Sequence, residues 1–285
     1  MIGGTGSDRN QIATILRDQA SKADAQLDLA RLAILLAVFQ SSGDEPLDRY
    51  FHHLTLLERD AADLARRCST PPKLEEQVAI INHLLFERYG YAGDEETYDD
   101  LQNADMMRVI DRRRGLPVAL GILYLRIAQS CGWSAEGLGF PGHFLIRMEA
   151  EGRRAIIDPF NGGAVRTADE LRELLKVLSG VDAELQPEHH AGVSNREVLL
   201  RLQNNRKLRL LRDQKRVEAL RVIEGMLLFA PATPALWREA GLLYMHEENL
   251  GAAIQALQHY LSLEGDDGHR TEVREILARL RTRLN

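Results

Sequence analysis

The stretch RRRGLPVALGILYLRIAQSCGWSAEGLGFPGHFLIRMEAEGRRAIIDPFNGG (112–163) decides how this chain is read. Within it, LPVALGILYLRIAQSCG (116–132) is apolar almost from end to end, which predicts a helix buried on most sides. Pro117 fits the opening of that helix, where an N–H would have no helical partner, and Gly132 fits its close. Two strands follow, HFLIRME (143–149) and RRAIID (153–158), with AEG between them. A hairpin centred between Ala150 and Glu151 sets His143 opposite Asp158 and Leu145 opposite Ile156. It also sets Phe144 opposite Ile157, Ile146 opposite Ala155 and Arg147 opposite Arg154. Directly opposed residues hold their Cβ atoms about 5 Å apart, within reach of an imidazole–carboxylate hydrogen bond. A slip of one residue would send the two side chains to opposite faces. The spacing therefore predicts a His143–Asp158 pair on a small antiparallel sheet.

Upstream the chain reads as helical. Apolar residues recur at helical spacing from Gln11 and culminate in LARLAILLAVF (29–39). SSGDEP (41–46) breaks the pattern, and Pro46 suits the first position of the next helix, LDRYFHHLTLLERDAADLARRC (47–68). After STPP (69–72), LEEQVAIINHLLFERYG (74–90) makes a third helix with Gly90 as its C-terminal cap. The acidic stretch GDEETYDD (93–100) reads as a solvated loop.

Downstream of residue 196 an internal period appears. PALWREAGLLYMHEENLGAAIQALQHYLSL (234–263) places Trp237, Gly241, Tyr244 and Ala253 at tetratricopeptide spacing. A shift of about 34 residues brings Ala219 into the place of Ala253 and Pro231 into that of the closing proline. The first copy lacks the Trp and Gly and is the degenerate one, and TEVREILARLRTRL (271–284) reads as a polar capping helix. Fewer than three repeats seldom stand alone, so this fragment is expected to dock on the preceding domain.

Composition narrows the function. A chain of 285 residues is about twice the usual length of one domain and can bury a core without staples. A net charge of −6 argues against a protein built to hold nucleic acid. Two cysteines, Cys68 and Cys131, exclude a disulfide framework and an all-cysteine zinc site. The pairs His52-His53 and His189-His190 do not share an ion on a helix, where neighbours point about 100° apart, and read as solvated. No metal and no cofactor is expected. The longest apolar run, Leu32 to Phe39, falls far short of the ~20 residues that span a bilayer. MIGGTGSDRNQ lacks the blocks of a signal peptide, so a soluble cytoplasmic protein is expected.

RRRGLP (112–117), FPGHFLIR (140–147) and IDPFNGG (157–163) together resemble the transglutaminase-like core of the bacterial SirB-type family. That family joins this core to C-terminal tetratricopeptide repeats and is often labelled a regulator of sirC expression. The resemblance runs from about Leu27 to the end of the chain. It departs at Tyr98-Asp99-Asp100-Leu101-Gln102-Asn103-Ala104, where the family runs tyrosine, aspartate, proline and then asparagine-serine. It implies an α+β fold: a helical region over 1–95, a transglutaminase-like (papain-like) core over 96–190, and tetratricopeptide hairpins with a cap over 196–285.

The wider superfamily uses a Cys-His-Asp triad whose cysteine opens a buried helix, where the dipole favours the thiolate. By resemblance His143 and Asp158 match the last two members, in agreement with the hairpin spacing. The cysteine lies two residues after a glycine and about fifteen before the one ending the helix. Between Gly115 and Gly132 that position is Pro117, which has no nucleophile. Cys131 stands at the far end of the same helix, about 20 Å away, where the dipole raises a thiol pKa. It and Cys68 read as structural.

The expected function is therefore a catalytically inactive module for regulation or protein interaction. A peptide or small ligand would bind among Gly115, Pro117, Phe140, Pro141, Gly142, His143, Asp158, Pro159, Phe160, Gly162 and Gly163. Two other readings stand beside it: a cysteine-independent hydrolase with His143 as general base, and a pure repeat scaffold. Arg112, Arg113 and Arg114 form a basic patch that either holds an acidic partner or phosphate or pairs with Asp111 and the acidic loop. The basic run from Arg201 to Arg216 reads as a solvated face, or as one that docks to the acidic part of the chain, in preference to a nucleic-acid surface, since no aromatics are interleaved. A protein or peptide partner is expected, and no membrane.

Overall fold

The computed structural model describes residues 5–41, 46–68, 70–263 and 268–284. Most of SSGDEP, Ser69 of STPP and the first four residues of the N-terminus lie outside the described residues. The chain divides into two compact units, residues 23–37 with 44–202, and residues 1–22, 38–43 and 203–285. Helices α1 (Thr5–Asp18), α2 (Leu29–Gln40), α3 (Asp48–Ala65) and α4 (Leu74–Asn82) come first. The helix after Pro46 starts later than the proline pattern predicts, because Leu47 is its cap. A π-helical turn (His83–Arg88) prolongs α4, and Gly90 ends it at φ 70°.

Two short parallel strands, β1 (Ala92–Gly93) and β2 (Arg114–Gly115), flank α5 (Met106–Arg112). Then α6 (Pro117–Ser130) opens with Pro117 in its first turn and closes before Gly132 at φ 73°. Nearly every α6 side chain is buried, from Pro117 to Ala128, which is what an all-round apolar helix requires.

Around α6 lies an antiparallel sheet of β3 (Ser134–Leu138), β4 (Ile146–Ala150), β5 (Arg153–Asp158), β6 (Ala164–Arg166) and β7 (Gly192–Val193), in the order β6-β5-β4-β3-β7. Its central hairpin pairs Ile146 with Ile157, Met148 with Ala155, Glu149 with Arg154 and Ala150 with Arg153. This corrects the expected register by two residues. Glu151 and Gly152 form the turn, with φ of 51° and 74°, the geometry in which two-residue hairpins match the strand twist. The observed register also sets Glu149 against Arg154, where the expected one opposed two arginines. Ile146, Met148 and Ile157 are fully buried on one face, and α6 packs on the sheet. On the other face Leu138, Leu145 and Ile156 pack with Leu171 and Leu175 of α7 (Ala168–Ser179).

The second unit holds the repeats, α8 (Asn195–Arg212, from Gln203 on), α9 (Arg216–Phe229), α10 (Pro234–His246), α11 (Leu250–Ser262) and α12 (Arg270–Leu284). The two hairpins are copies down to the turn. Gln214 and Glu248 take φ of 60° and 58°, and the amides of Lys215 and Asn249 donate to Leu210 and Tyr244 at 2.8 and 2.9 Å. Gly241 lies so close to Leu257 that a Cβ there would stand 2.6 Å from its side chain. Ala253 and Ala219 are fully buried at matching sites. In the degenerate copy Gln203 and Lys207 occupy the places of Trp237 and Gly241. Gln203 accepts from Gln40 at 2.7 Å, and Lys207, 5% exposed, pairs with Glu239 at 2.5 Å. The expected solvated face is thereby corrected: Lys207 and Arg209 are buried and Arg201 is half-buried, while Arg212, Lys215 and Arg216 are exposed. Val273, Ile276, Leu277 and Leu280 of α12 close the core over Leu257 and Tyr260.

Candidate functional site

The site grows from the end of β5. Asp158 is the last residue of that strand and also caps the 3-10 turn Pro159–Asn161, so its carboxylate points back at the amides of Phe160 (3.1 Å) and Asn161 (3.3 Å). Asn161 Nδ2 donates to its Oδ2 at 2.8 Å, and Arg166 adds Nη2 at 2.8 Å and Nε at 3.1 Å. His143 Nε2 completes the shell, 2.9 Å from Oδ1. Burial alone would raise this carboxyl, but hydrogen bonds from His143, Arg166 and Asn161 outweigh it and bring the pKa down to about 2. Asp158 has no exposed surface, and the His143 side chain keeps 11% of its own.

His143 reaches this position from outside the strand, since β4 begins only at Ile146. In the observed register the two lie diagonally across the hairpin, a spacing that a long side chain spans. Gly142 turns the chain at φ 68° beside Leu178, and Phe144 packs into a notch at Gly121, one turn after Pro117. A Cβ at Gly121 would stand 2.3 Å from the Phe144 ring. Arg201 clasps the loop from α8: its Nη2 donates to the carbonyls of Phe140 (3.0 Å) and His143 (2.6 Å). The Phe160 ring meets His143 edge-on at 6.2 Å and Tyr98 at 5.7 Å. Neither Arg201 nor Arg166 stands out in the sequence, since one belongs to a basic run and the other ends the three-residue strand β6, too short to read.

The other expected site residues lie on β2, the start of α6, the loop before β4 and the turn after β5. Pro117, Phe140 and Pro159 are buried, Pro141 and Phe160 are half-buried, and Gly142 is exposed. Gly115 packs on Val109, and Gly163 lies against Asn82, whose Nδ2 donates to its carbonyl at 2.9 Å. Gly162 and Gly163 take φ of 64° and 75° and swing the chain from the 3-10 turn into β6.

The three arginines are each engaged inside the fold. Arg112 pairs with Asp94 at 2.9 Å and donates to Asn103 at 2.9 Å. Arg113 donates to His53 at 2.9 Å and to Tyr91, and Arg114 to the carbonyls of Gly90 and Arg113. The acidic loop is not solvated throughout: Asp94 is buried. Burial would raise its pKa, but the Thr97 hydroxyl and amide and Arg112 lower it to about 2.

His53 also departs from the solvated reading. It is 8% exposed, its Nε2 lies 2.8 Å from the Tyr91 hydroxyl, and burial, then Arg113 and His52, lower its pKa to about 4. His52 is exposed. Cys131 and Cys68 are half-buried, and burial raises the Cys131 thiol. Among the described residues no group of three or more His, Cys, Asp or Glu could hold a metal, and no helix is long and apolar enough to cross a membrane.

Two family models match the chain: the transglutaminase-like superfamily over residues 52–204 and the tetratricopeptide repeat over 207–278. A UPF0162 protein of Xylella fastidiosa is 31% identical over 195 residues, 66% of this chain and 68% of its own length. One of Vibrio cholerae is 34% identical over 179 residues, covering 62% of this chain and 66% of that protein. Protein SirB1 of Salmonella typhimurium is 30% identical over 190 residues, 66% of this chain and 70% of its own.

Proposed function

The chain belongs to the transglutaminase-like superfamily, and on that premise we propose a catalytically inactive member that serves regulation or protein interaction, with a peptide or small ligand bound at His143 and Asp158. Pro117 carries this reading. It occupies the place where the resemblance puts the nucleophile, it is buried, and its ring offers no group that attacks a carbonyl. His143 meets the carboxylate through Nε2, which leaves Nδ1 as the ring nitrogen not engaged by Asp158. The tetratricopeptide hairpins supply the second half of the reading, since stacked helix pairs present extended surfaces for partners.

The Pro117→Cys variant tests the site, read by the rate of alkylation with iodoacetamide. A thiol at the start of α6 should react faster than Cys68 and Cys131, because the helix dipole favours the thiolate and the resemblance sets His143 as its partner. No gain over those two cysteines would remove Pro117 from the nucleophile position. Hydrolysis of a simple ester or amide by the native protein, abolished in His143→Ala, would replace this reading with a cysteine-independent hydrolase.

A further inference from the structure

The last helical hairpin carries a groove away from the sheet site, floored by the outer edge of the repeat core at Leu261 and Leu277. It lies between α11 and α12, has a volume of about 290 Å³, and is lined by Gln258, Leu261, Arg274, Leu277, Ala278 and Arg281. We propose that this groove docks a partner protein through an acidic segment that carries one apolar anchor. The anchor enters over Leu261, Leu277 and Ala278, and carboxylates on either side of it meet Arg274 and Arg281.

Three observations carry the assignment. Arg274 and Arg281 are exposed, and neither makes a hydrogen bond or an ion pair with any described residue. They stand two turns apart on one side of α12, about 10 Å along its axis, with the apolar floor between them. Arg270 on the same helix is committed to the Leu261 and Leu263 carbonyls, at 2.6 and 3.0 Å. Second, α12 carries five arginines against two glutamates in a chain whose net charge is −6, so its exposed side is a local positive field on an acidic molecule. Third, the volume sits at the lower edge of the ~300–1,000 Å³ range of small-molecule pockets, a size for a side chain anchor.

These features select among anions. Guanidinium forks suit carboxylates, with two parallel hydrogen bonds each. A nucleic-acid strand needs rings on which bases stack, and none of the lining residues is aromatic. The overall negative charge also opposes a long polyanion.

The probe is a fluorescein-labelled ten-residue peptide with a central leucine pair between two blocks of glutamate. It is titrated onto the full chain at low salt, with amide chemical shifts followed in parallel. Saturable binding is expected, with shifts confined to α11 and α12. The exposed double change Arg274→Glu and Arg281→Glu, and separately Ala278→Glu, should each weaken it at least tenfold with the melting temperature unchanged. Replacing the leucines by serine should weaken it similarly. The proposal fails if the glutamate peptide does not bind below millimolar concentration, or if the shifts fall elsewhere. It fails equally if a lysine-flanked peptide, single-stranded RNA or an anionic vesicle takes this face as well as the glutamate peptide does.

Discussion

The sheet-bearing unit holds two largely buried histidines that meet opposite partners. His143 sits on the carboxylate of Asp158, while His53 sits against the guanidinium of Arg113 and the hydroxyl of Tyr91. Around His143 the charge was assembled for an acceptor: Arg166, Asn161 and two backbone amides converge on Asp158. Around His53 it was assembled for a neutral ring. Arg113 Nη1 donates towards Nε2, which can accept only while it carries no proton. Tyr91 is buried beside it, and burial holds its phenol above the usual range. A buried histidine is thus read from its partners' charge: one centre is arranged around an anion, while the other excludes a proton.

Removing the anionic centre should destabilise the fold most. Asp158→Ala takes the buried acceptor from the turn amides and from Arg166, which keeps only Glu170 at 3.7 Å, and should cost about 3–5 kcal/mol in urea unfolding. Asp158→Asn should cost less, since asparagine still caps a turn but does not neutralise Arg166. A loss below about 1 kcal/mol for the alanine variant would show that Arg166 finds water as good a partner, and the network would not hold the site.

The second effect lies at the other centre and is read by pH. The folded His53 binds its proton near pH 4 and the unfolded one near 6.5. Between those values the unfolded chain takes up more protons, so stability falls as pH drops from about 6.5 to 4. The loss should be roughly 2 kcal/mol, allowing for solvent screening. Asp158 and Asp94, lowered to about 2, act in a separate window and withdraw their contribution only as pH falls from about 4 to 2. His53→Gln keeps an acceptor that cannot titrate, and should flatten unfolding free energy between pH 6.5 and 4.5 while leaving the lower step. An unchanged upper step would assign it to another group.

Of these two centres, one was legible in the sequence and the other was not, for a physical reason. His143 and Asp158 lie on a short hairpin, where parity along two strands decides which side chains share a face, so an error of two residues in register left the pair intact. The error came from the turn. Positive φ at both Glu151 and Gly152 set the centre, and a glutamate in that conformation has little sequence signal. Helices were legible where the pattern was dense, as in α2, α6 and the repeats. The short α5 and the strands β3, β6 and β7 were missed, because two to seven residues carry almost no periodicity. His53 meets Tyr91 and Arg113 across 38 and 60 residues, a closure that only tertiary packing creates. Arg201 is the same case: a basic run says nothing of which cation turns inward to clasp Phe140 and His143.

The smallest expected effect decides what the His143 pair is for. Asp158 retains Arg166, Asn161 and two amides when the imidazole is removed, so His143→Ala should cost only about 1 kcal/mol in stability. His53→Ala should cost more, because it takes the acceptor from the buried Tyr91 hydroxyl and one of two acceptors from Arg113. A ranking of His53 above His143 by urea unfolding would mark the first as a structural histidine and the second as one the fold can spare. A fold that can spare a histidine yet fixes it on a fully buried carboxylate, with an arginine clasping its backbone, holds it for something other than stability. The reverse ranking would make the pair a structural strut and leave the repeat helices as the protein's functional surface.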